Sequence, residues 1–156
     1  MADALDVRLE VKGDKEVRQM LTGLGLDLRN LRGAMNEVGR DTIKYFRGPV
    51  FVSRGSVINQ PWQRLTNRYA AQKAKRYPGR PILVRTGKMQ GSFSYSSTGT
   101  SVLIFNTDPK FKYHQSSAQR HVLPRRAMIG IYNGMEADVT ATIAKVIAQK
   151  IKERSR

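Results

Sequence analysis

The sequence predicts an α+β domain, and three observations carry the prediction. Residues 5–12 alternate apolar and polar side chains as a half-buried strand does, and residues 92–105 repeat the pattern on both sides of a turn, as a hairpin does. Residues 28–42 and 134–153 instead place apolar side chains at three-to-four spacing, which is typical of helices with one buried face. The length of 156 residues fits one domain, so we expect a single domain over 1–156.

The N-terminal region, residues 5–47, is predicted as a strand followed by a pair of helices. Gly13 ends the strand, and Asp14 is a candidate N-cap for the first helix. The second helix ends by Gly48-Pro49, and its apolar stripe consists of Leu28, Leu31, Met35, Val38 and Thr42. This arrangement predicts a small antiparallel sheet packed with an N-terminal helical pair and the C-terminal helix 134–153.

Two long loops are predicted beside the hairpin. Residues 48–61 contain two glycines and two prolines and are predicted as one loop, and residues 107–121 as an irregular basic loop. Between them a helix runs from Leu65 to Arg76, and a last short strand is predicted at 127–131. Loops of this length are typical of segments that order against a partner.

Positive charge is concentrated in the middle of the chain. The net charge is +16, and residues 42–135 contain sixteen Lys and Arg against one acid, Asp108. Such a block attracts an anionic partner, either a nucleic acid or an acidic face of another protein. The chain has no cysteine, no apolar run long enough to span a membrane and no basic, apolar leader, so we expect assembly in the cytoplasm.

The same middle region disfavours an enzyme. Paired carboxylates and two-metal sites need several acids, and this region has only Asp108. His114 and His121 are seven residues apart, which matches no zinc pattern, and Arg85–Lys88 lacks the frame of a phosphate-binding loop. We therefore predict no catalytic, cofactor-binding or metal-binding residues.

Direct binding of nucleic acid is one interpretation of residues 62–80. Arginines such as Arg64 and Arg68 could contact phosphates while Trp62 and Tyr69 stack on bases. Trp62, Leu65 and Tyr69 also recur at three-to-four spacing, which indicates a face packed on the sheet. Trp62 is therefore a candidate either for the core or for an interface.

An ordered set of short motifs crosses this region. It comprises Pro61-Trp62, Leu65-Thr66, Lys73, Leu83 to Met89 with Thr86-Gly87, Ser92, Tyr113-His114-Gln115, Pro124-Arg125-Arg126 and Ile129-Gly130. In order and spacing it resembles the phage virion morphogenesis family, the tail completion proteins of contractile-tailed phages and Mu-like prophages. The sequence departs from the family pattern where Tyr113 abuts His114 without a spacer and where Ser116 to Ala118 replace a glycine.

The resemblance implies a structural protein of the phage neck rather than an enzyme. A subunit of this family finishes the tail or joins it to the head, and a homo-oligomeric ring is expected, sixfold to match the tail tube. The expected location is the virion, the expected partners are other neck and tail proteins, and DNA in the lumen is a possible non-specific contact.

The interface candidates are Trp62, Arg64, Arg68, Thr86, Gly87, Tyr113, His114, Gln115, Pro124, Arg125 and Arg126. Thr86-Gly87 would cap a tight turn, and the arginines after Pro124 would pair with carboxylates of a neighbour. The alternative function is a standalone nucleic-acid-binding protein of a phage or mobile element.

Overall fold

The structure of the chain is a computed structural model that describes residues 7–10, 22, 31–118 and 123–154. Its helices are α1 (Arg32–Arg47), α2 (Pro49–Val52), α3 (Asn67–Arg76), α4 (Lys88–Gly91), α5 (Phe111–Gln115) and α6 (Met135–Arg154), with a 3-10 helix at Ser56–Ile58. Its strands are β1 (Val7–Glu10), β2 (Phe93–Ser97) and β3 (Ser101–Asn106). The strand order is β1-β3-β2, with β1 antiparallel to β3 and Val7 opposite Ile104. The α+β prediction is confirmed.

The long elements follow the periodicities of the sequence. On α1 the predicted stripe is buried at Met35, Val38 and Thr42, and the last turn carries Lys44 and Arg47, which complement the helix dipole. On α6 the first turn carries Glu136 and Asp138, again with the favourable sign. The first helix of the predicted pair lies outside the described residues except for Thr22, which is helical. Among the described residues, no helix is both long enough and apolar enough to cross a membrane.

The predicted loop at 48–61 is wrong, because this segment folds into α2 and the 3-10 helix. Val50, Phe51 and Ile58 are buried, so the segment packs within the chain and needs no neighbour to order it. The turn between the two helices depends on Gly55, whose φ is +81°. An added Cβ there would lie 2.1 Å from the carbonyl oxygen of Gln60, so only glycine fits.

The structure corrects two further expectations. The predicted loop at 107–121 contains α5, and residues 119–122 lie outside the described part of the chain. Residues 127–131 do not form the predicted strand, although Ala127, Met128 and Ile129 are buried as an apolar strand would be.

The chain divides into two compact units, while a single domain stays a prediction. The basic unit comprises residues 44–94 and 105–133. Its core is a cluster of aromatic rings with centroids 5.3–6.5 Å apart, mostly edge to face, formed by Phe46, Phe51, Trp62, Phe93 and Phe111. Edge-to-face pairs add about 0.5–1.5 kcal/mol each beyond the burial of their area. Both chain segments of the unit, 44–94 and 105–133, therefore contribute to one core.

The second unit comprises residues 6–43, 95–104 and 134–156. The end of the hairpin meets the start of α1, because the N–H of Leu31 donates to the carbonyl oxygen of Gly99 at 2.9 Å. Ser97 donates from Oγ to Oδ1 of Asn36 at 2.6 Å. Gly39 lies directly under the ring of Tyr95, where an added Cβ would come within 2.5 Å of the ring, so β2 and α1 approach closely here.

Candidate functional site

The basic unit contains a cavity of about 290 Å³ between α3, the turn at 82–87 and the segment at 123–126. Five cations line it: Lys73, Arg85, Lys88, Lys110 and Arg126. The other titratable groups on its wall are the imidazole of His114, the phenol of Tyr69 and one carboxylate, that of Asp108. The Oδ1 atom of Asp108 accepts the backbone N–H of Lys110 at 2.9 Å, so this carboxylate already holds a turn. Positive charge therefore dominates the cavity.

Lys73 is the most unusual of these cations because only 6% of it is exposed. Thr66 begins α3 by accepting the N–H of Tyr69 at its Oγ1, and Lys73 follows on the same face as Tyr69. The ammonium group donates to the carbonyl oxygen of Pro81. Burial, and then the positive charges of Arg85 and Arg126, lower the pKa of Lys73 from its ordinary value of 10.5.

Arg126 is buried to a similar degree, with 5% of it exposed. Its Nε donates to the carbonyl oxygen of Gln63 at 2.9 Å, and its Nη2 lies 3.4 Å from that of Arg64. The backbone N–H of Arg126 donates to the carbonyl oxygen of His114 at 3.0 Å. Burial lowers the pKa of this guanidinium, which nevertheless stays charged because arginine titrates far above neutral pH.

Arg85 lies at the exposed side of the cavity and is held by Tyr77. Its Nη2 donates to the phenolic oxygen at 2.8 Å, and its guanidinium lies 5.0 Å from the centre of the same ring. The hydrogen bond from Arg85 lowers the pKa of Tyr77 and raises that of the guanidinium. The tyrosine therefore positions a cation without neutralising it.

The structure places the predicted interface residues in three different environments. Four of them lie at the cavity: Thr86, Gly87, His114 and Arg126. Gly87 has a φ of +83° and precedes α4, while Oγ1 of Thr86 accepts the N–H of Lys88 at 3.4 Å. The positive φ predicted for Gly87 is therefore confirmed, whereas Thr86 is not the predicted N-cap, because Gly87 occupies that position without a side-chain cap.

Trp62 and Gln115 are buried inside the basic unit. Trp62 is 6% exposed, its Nε1 donates to the carbonyl oxygen of Ala127 at 2.6 Å, and its ring packs edge to face on Phe51. Its indole is therefore a core group of this chain and is not available to stack on a base. The alternative left open by the sequence is resolved in favour of the core.

Gln115 takes the place of a partner strand for residues 127–129. Its Oε1 accepts the N–H groups of Met128 and Ile129 at 2.8 and 3.0 Å, and its Nε2 donates to the carbonyl oxygen of Ile129 at 2.8 Å. A single side chain thus satisfies three buried backbone groups, which a strand would otherwise pair. This explains why the apolar segment is buried without becoming a strand.

The remaining candidates lie at the surface. Arg64 and Arg68 are exposed, and Tyr113 is 45% exposed beneath the ammonium of Lys112. Arg125 is also exposed, and it donates to the side chain of Gln60 at 2.6 Å and to the backbone of residue 115 at 3.0 Å. Pro124 is half-buried. Arg64 and Arg68 are therefore the arginines of the set whose side chains face solvent without a hydrogen bond to the rest of the described chain.

Sequence reasoning missed Lys73, Arg85 and Asp108 as parts of one site. The signal for Lys73 was present, because Leu65, Tyr69 and Lys73 follow one another at four-residue spacing on the face assigned to packing. A lysine on that face predicts a buried cation. Arg85 and Asp108 carry no such signal, since they reach the cavity through turns.

No group of three or more His, Cys, Asp or Glu residues in the described ranges is arranged to hold a metal ion. Comparisons of the chain with protein-family models, with curated proteins and with solved structures found no match.

Proposed function

We propose that this chain is a structural protein of a phage virion that acts at the head–tail junction. In this proposal it assembles as a ring, sixfold to match the tail tube, and it completes or terminates the tail and joins it to the head. Its work is assembly, and it needs no catalytic residue or cofactor. The proposal rests on the resemblance of its ordered motifs to those of tail completion proteins.

One observation supports reading those motifs together. The motifs are spread over about seventy residues, and hydrogen bonds join four of them, those around Trp62, Gln115, Arg126 and Ile129. Trp62 binds the backbone next to Arg126, Arg126 binds the backbone next to Trp62, and Gln115 binds the residues before Gly130. These motif residues thus belong to one hydrogen-bonded framework, as a shared structural role requires.

The surface of the basic unit also suits assembly. Exposed cations that carry no ion pair within the described part of the chain include Arg64, Arg68, Lys75, Arg76 and Arg80. A ring joined by heterologous contacts needs two different complementary faces on each subunit. A basic face of this kind would seat against an acidic face of a neighbouring subunit or of another neck protein.

The test is to ask whether the protein forms rings and enters particles. Native mass spectrometry of the purified chain, with subunits of 17.6 kDa, measures the oligomer directly. Electron microscopy of lysates from a phage or prophage lacking the gene should show filled heads and unattached tails, and the complemented strain should restore whole particles. A protein that stays monomeric and is absent from purified virions would refute the proposal.

A second candidate is a standalone nucleic-acid-binding protein, which the same exposed arginines favour. Binding through phosphates releases counterions, so the affinity for duplex DNA would fall steeply as salt is raised. Each phosphate contact contributes about −0.9 to the slope of log K against log salt. A slope of several units, together with absence from particles, would favour this candidate over the first.

A ring whose basic face touches DNA in the neck would combine the two functions. Charge reversal of Arg64, Arg68 and Arg76 to Glu should then release DNA from particles while rings still form. The matched control reverses three exposed cations of the second unit, Arg32, Lys145 and Lys152. Rings that break in the first variant, and not in the control, would place the three arginines in a subunit contact instead.

A further inference from the structure

We propose that the cavity of the basic unit binds the carboxylate of a protein segment, together with an aliphatic side chain next to that carboxylate. This site goes beyond the proposed function, because it lies within one subunit and would bind its ligand in a ring or in a monomer alike. The occupant is a partner chain that presents a carboxylate at its end or on a side chain.

The charges in the cavity favour an anionic ligand. Lys73 and Arg126 are nearly fully buried, and within the described chain both are hydrogen-bonded only to backbone carbonyl oxygens. Burying a charge is costly unless it is paired with an opposite charge. The charges that act on Lys73, those of Arg85 and Arg126, have the same sign as its own, and the carboxylate of Asp108 already accepts the N–H of Lys110. An entering anion would relieve this repulsion.

The cations of the cavity also keep unused hydrogen-bond donors. An ammonium group has three donors, and Lys73 uses one of them on Pro81. A guanidinium group has five donors, and Arg85 uses one of them on Tyr77. Donors of both residues therefore remain for an acceptor in the cavity. A carboxylate supplies two oxygens that can accept from several donors at once, and such charge-assisted bonds are roughly twice as strong as neutral ones.

The size and lining of the cavity indicate that the anion is attached to an aliphatic group. A volume of about 290 Å³ equals the liquid volume of about ten waters, which is far more than a simple ion fills. The uncharged part of the wall is mainly aliphatic or thioether, from Leu65, Ile82, Leu83, Met89 and Leu123. An aliphatic group attached to the anion would fill this part and displace its water.

The same lining favours a peptide over a nucleotide. Proteins hold bases by stacking them on aromatic rings or on guanidinium planes. Apart from the imidazole of His114, the one aromatic ring on the described part of the cavity wall is that of Tyr69, which is 43% exposed. The guanidinium of Arg85 already stacks on Tyr77. A duplex, whose phosphates lie on its outer surface, would reach the exposed arginines but not a buried lysine.

The test compares the affinities of the full-length protein for a charged probe and for its uncharged analogue. N-acetyl-glycyl-leucine has a free carboxylate next to an aliphatic side chain, and its C-terminal amide differs only in lacking the charge. Amide chemical shifts in NMR titrations report both the affinity and the place. We expect the acid to bind at least about tenfold more tightly, with shifts at Arg85, Thr86 and Gly87. Equal affinities, shifts elsewhere or no binding would overturn the proposal.

Two further experiments distinguish a carboxylate from a phosphate and test the role of Lys73. Adenosine 5′-monophosphate is the probe for a phosphate source, and tighter binding of this probe than of the acid would also overturn the proposal. Lys73→Met should weaken binding of the acid at least tenfold, whereas Lys75→Met, at an exposed position of the same helix, should leave it unchanged. The comparison of acid with amide on the unmodified protein decides the matter even if Lys73→Met does not fold.

Discussion

Replacing Gln115 by Met tests whether this residue is an internal support or an interface residue. Methionine keeps the length and apolar stem of the side chain and removes its amide. The variant would leave three buried backbone groups without partners, namely the N–H groups of Met128 and Ile129 and the carbonyl oxygen of Ile129. Each unsatisfied buried group costs about 1–3 kcal/mol. Because the segment can shift to recover part of this, we expect a loss of roughly 3–5 kcal/mol in the free energy of unfolding.

A loss of this size is easily measured, since domains have free energies of unfolding of about 5–15 kcal/mol. Urea denaturation at an unchanged m value gives the difference directly. Gln72→Met, on the exposed face of α3, is the matched control and should change the free energy by no more than about 0.5 kcal/mol. If Gln115→Met behaved like this control but abolished oligomers, Gln115 would be an interface residue and the internal role would be refuted.

Three further predictions concern the side chains that hold the basic unit and its cavity. Trp62→Phe removes the hydrogen bond to Ala127 and should lower the free energy of unfolding in urea by about 1–3 kcal/mol, and a change below about 0.5 kcal/mol would contradict a core role. Because the pKa of Lys73 is lowered in the folded chain, the unfolded chain binds more protons between that lowered pKa and 10.5, so stability should rise with pH across this window. Lys73→Met should remove that rise. If the free energy of unfolding changed equally with pH in the two proteins, Lys73 would not be its source. Arg85→Met should raise the pKa of Tyr77 back towards 10.0 in an ultraviolet absorbance titration, whereas an unchanged titration would show that the hydrogen bond does not act on the phenol.

The regular elements could be predicted because each depends on a pattern within its own residues. The hairpin of β2 and β3 follows from alternation around a turn, and α1 and α6 follow from apolar stripes. The helix predicted from Leu65 begins two residues later, at Asn67, because Thr66 caps it. These elements can be predicted without knowing which residues pack against them.

The segments predicted wrongly depend on contacts that the local sequence does not contain. Residues 48–61 have the glycines and prolines of a loop, yet one-turn helices form there because their apolar side chains are buried in the unit. Left-handed conformations at Arg54, Gly55 and Asn59 turn the chain back on itself. Glycine and asparagine are both typical of this conformation, whereas Arg54 gives no such signal in the sequence. At 127–129 the burial was predicted correctly, but the partner is the side chain of Gln115 rather than a strand.

In the candidate site too, the features that depend on the local sequence could be predicted, and those that depend on distant contacts could not. Sequence reasoning found the basic character of the middle and four cavity residues: Thr86, Gly87, His114 and Arg126. It assigned Trp62 to either the core or an interface, and the burial of its side chain and its hydrogen bond to Ala127 decide for the core. A count of charges could not tell which cations are buried, because burial depends on the fold around them.

The positive charge of the basic unit has two distinct physical roles, and salt distinguishes them. Arg64 and Arg68 are exposed, so their attraction to DNA or to an acidic surface acts through solvent and is screened over about 8 Å at physiological salt. Lys73 and Arg126 are buried, and a carboxylate seated against them would be screened much less. Raising the salt should therefore weaken contacts at the exposed arginines first and leave binding in the cavity largely intact. If both weaken in parallel, the cavity does not shield its ligand, and the anion binds at the surface instead.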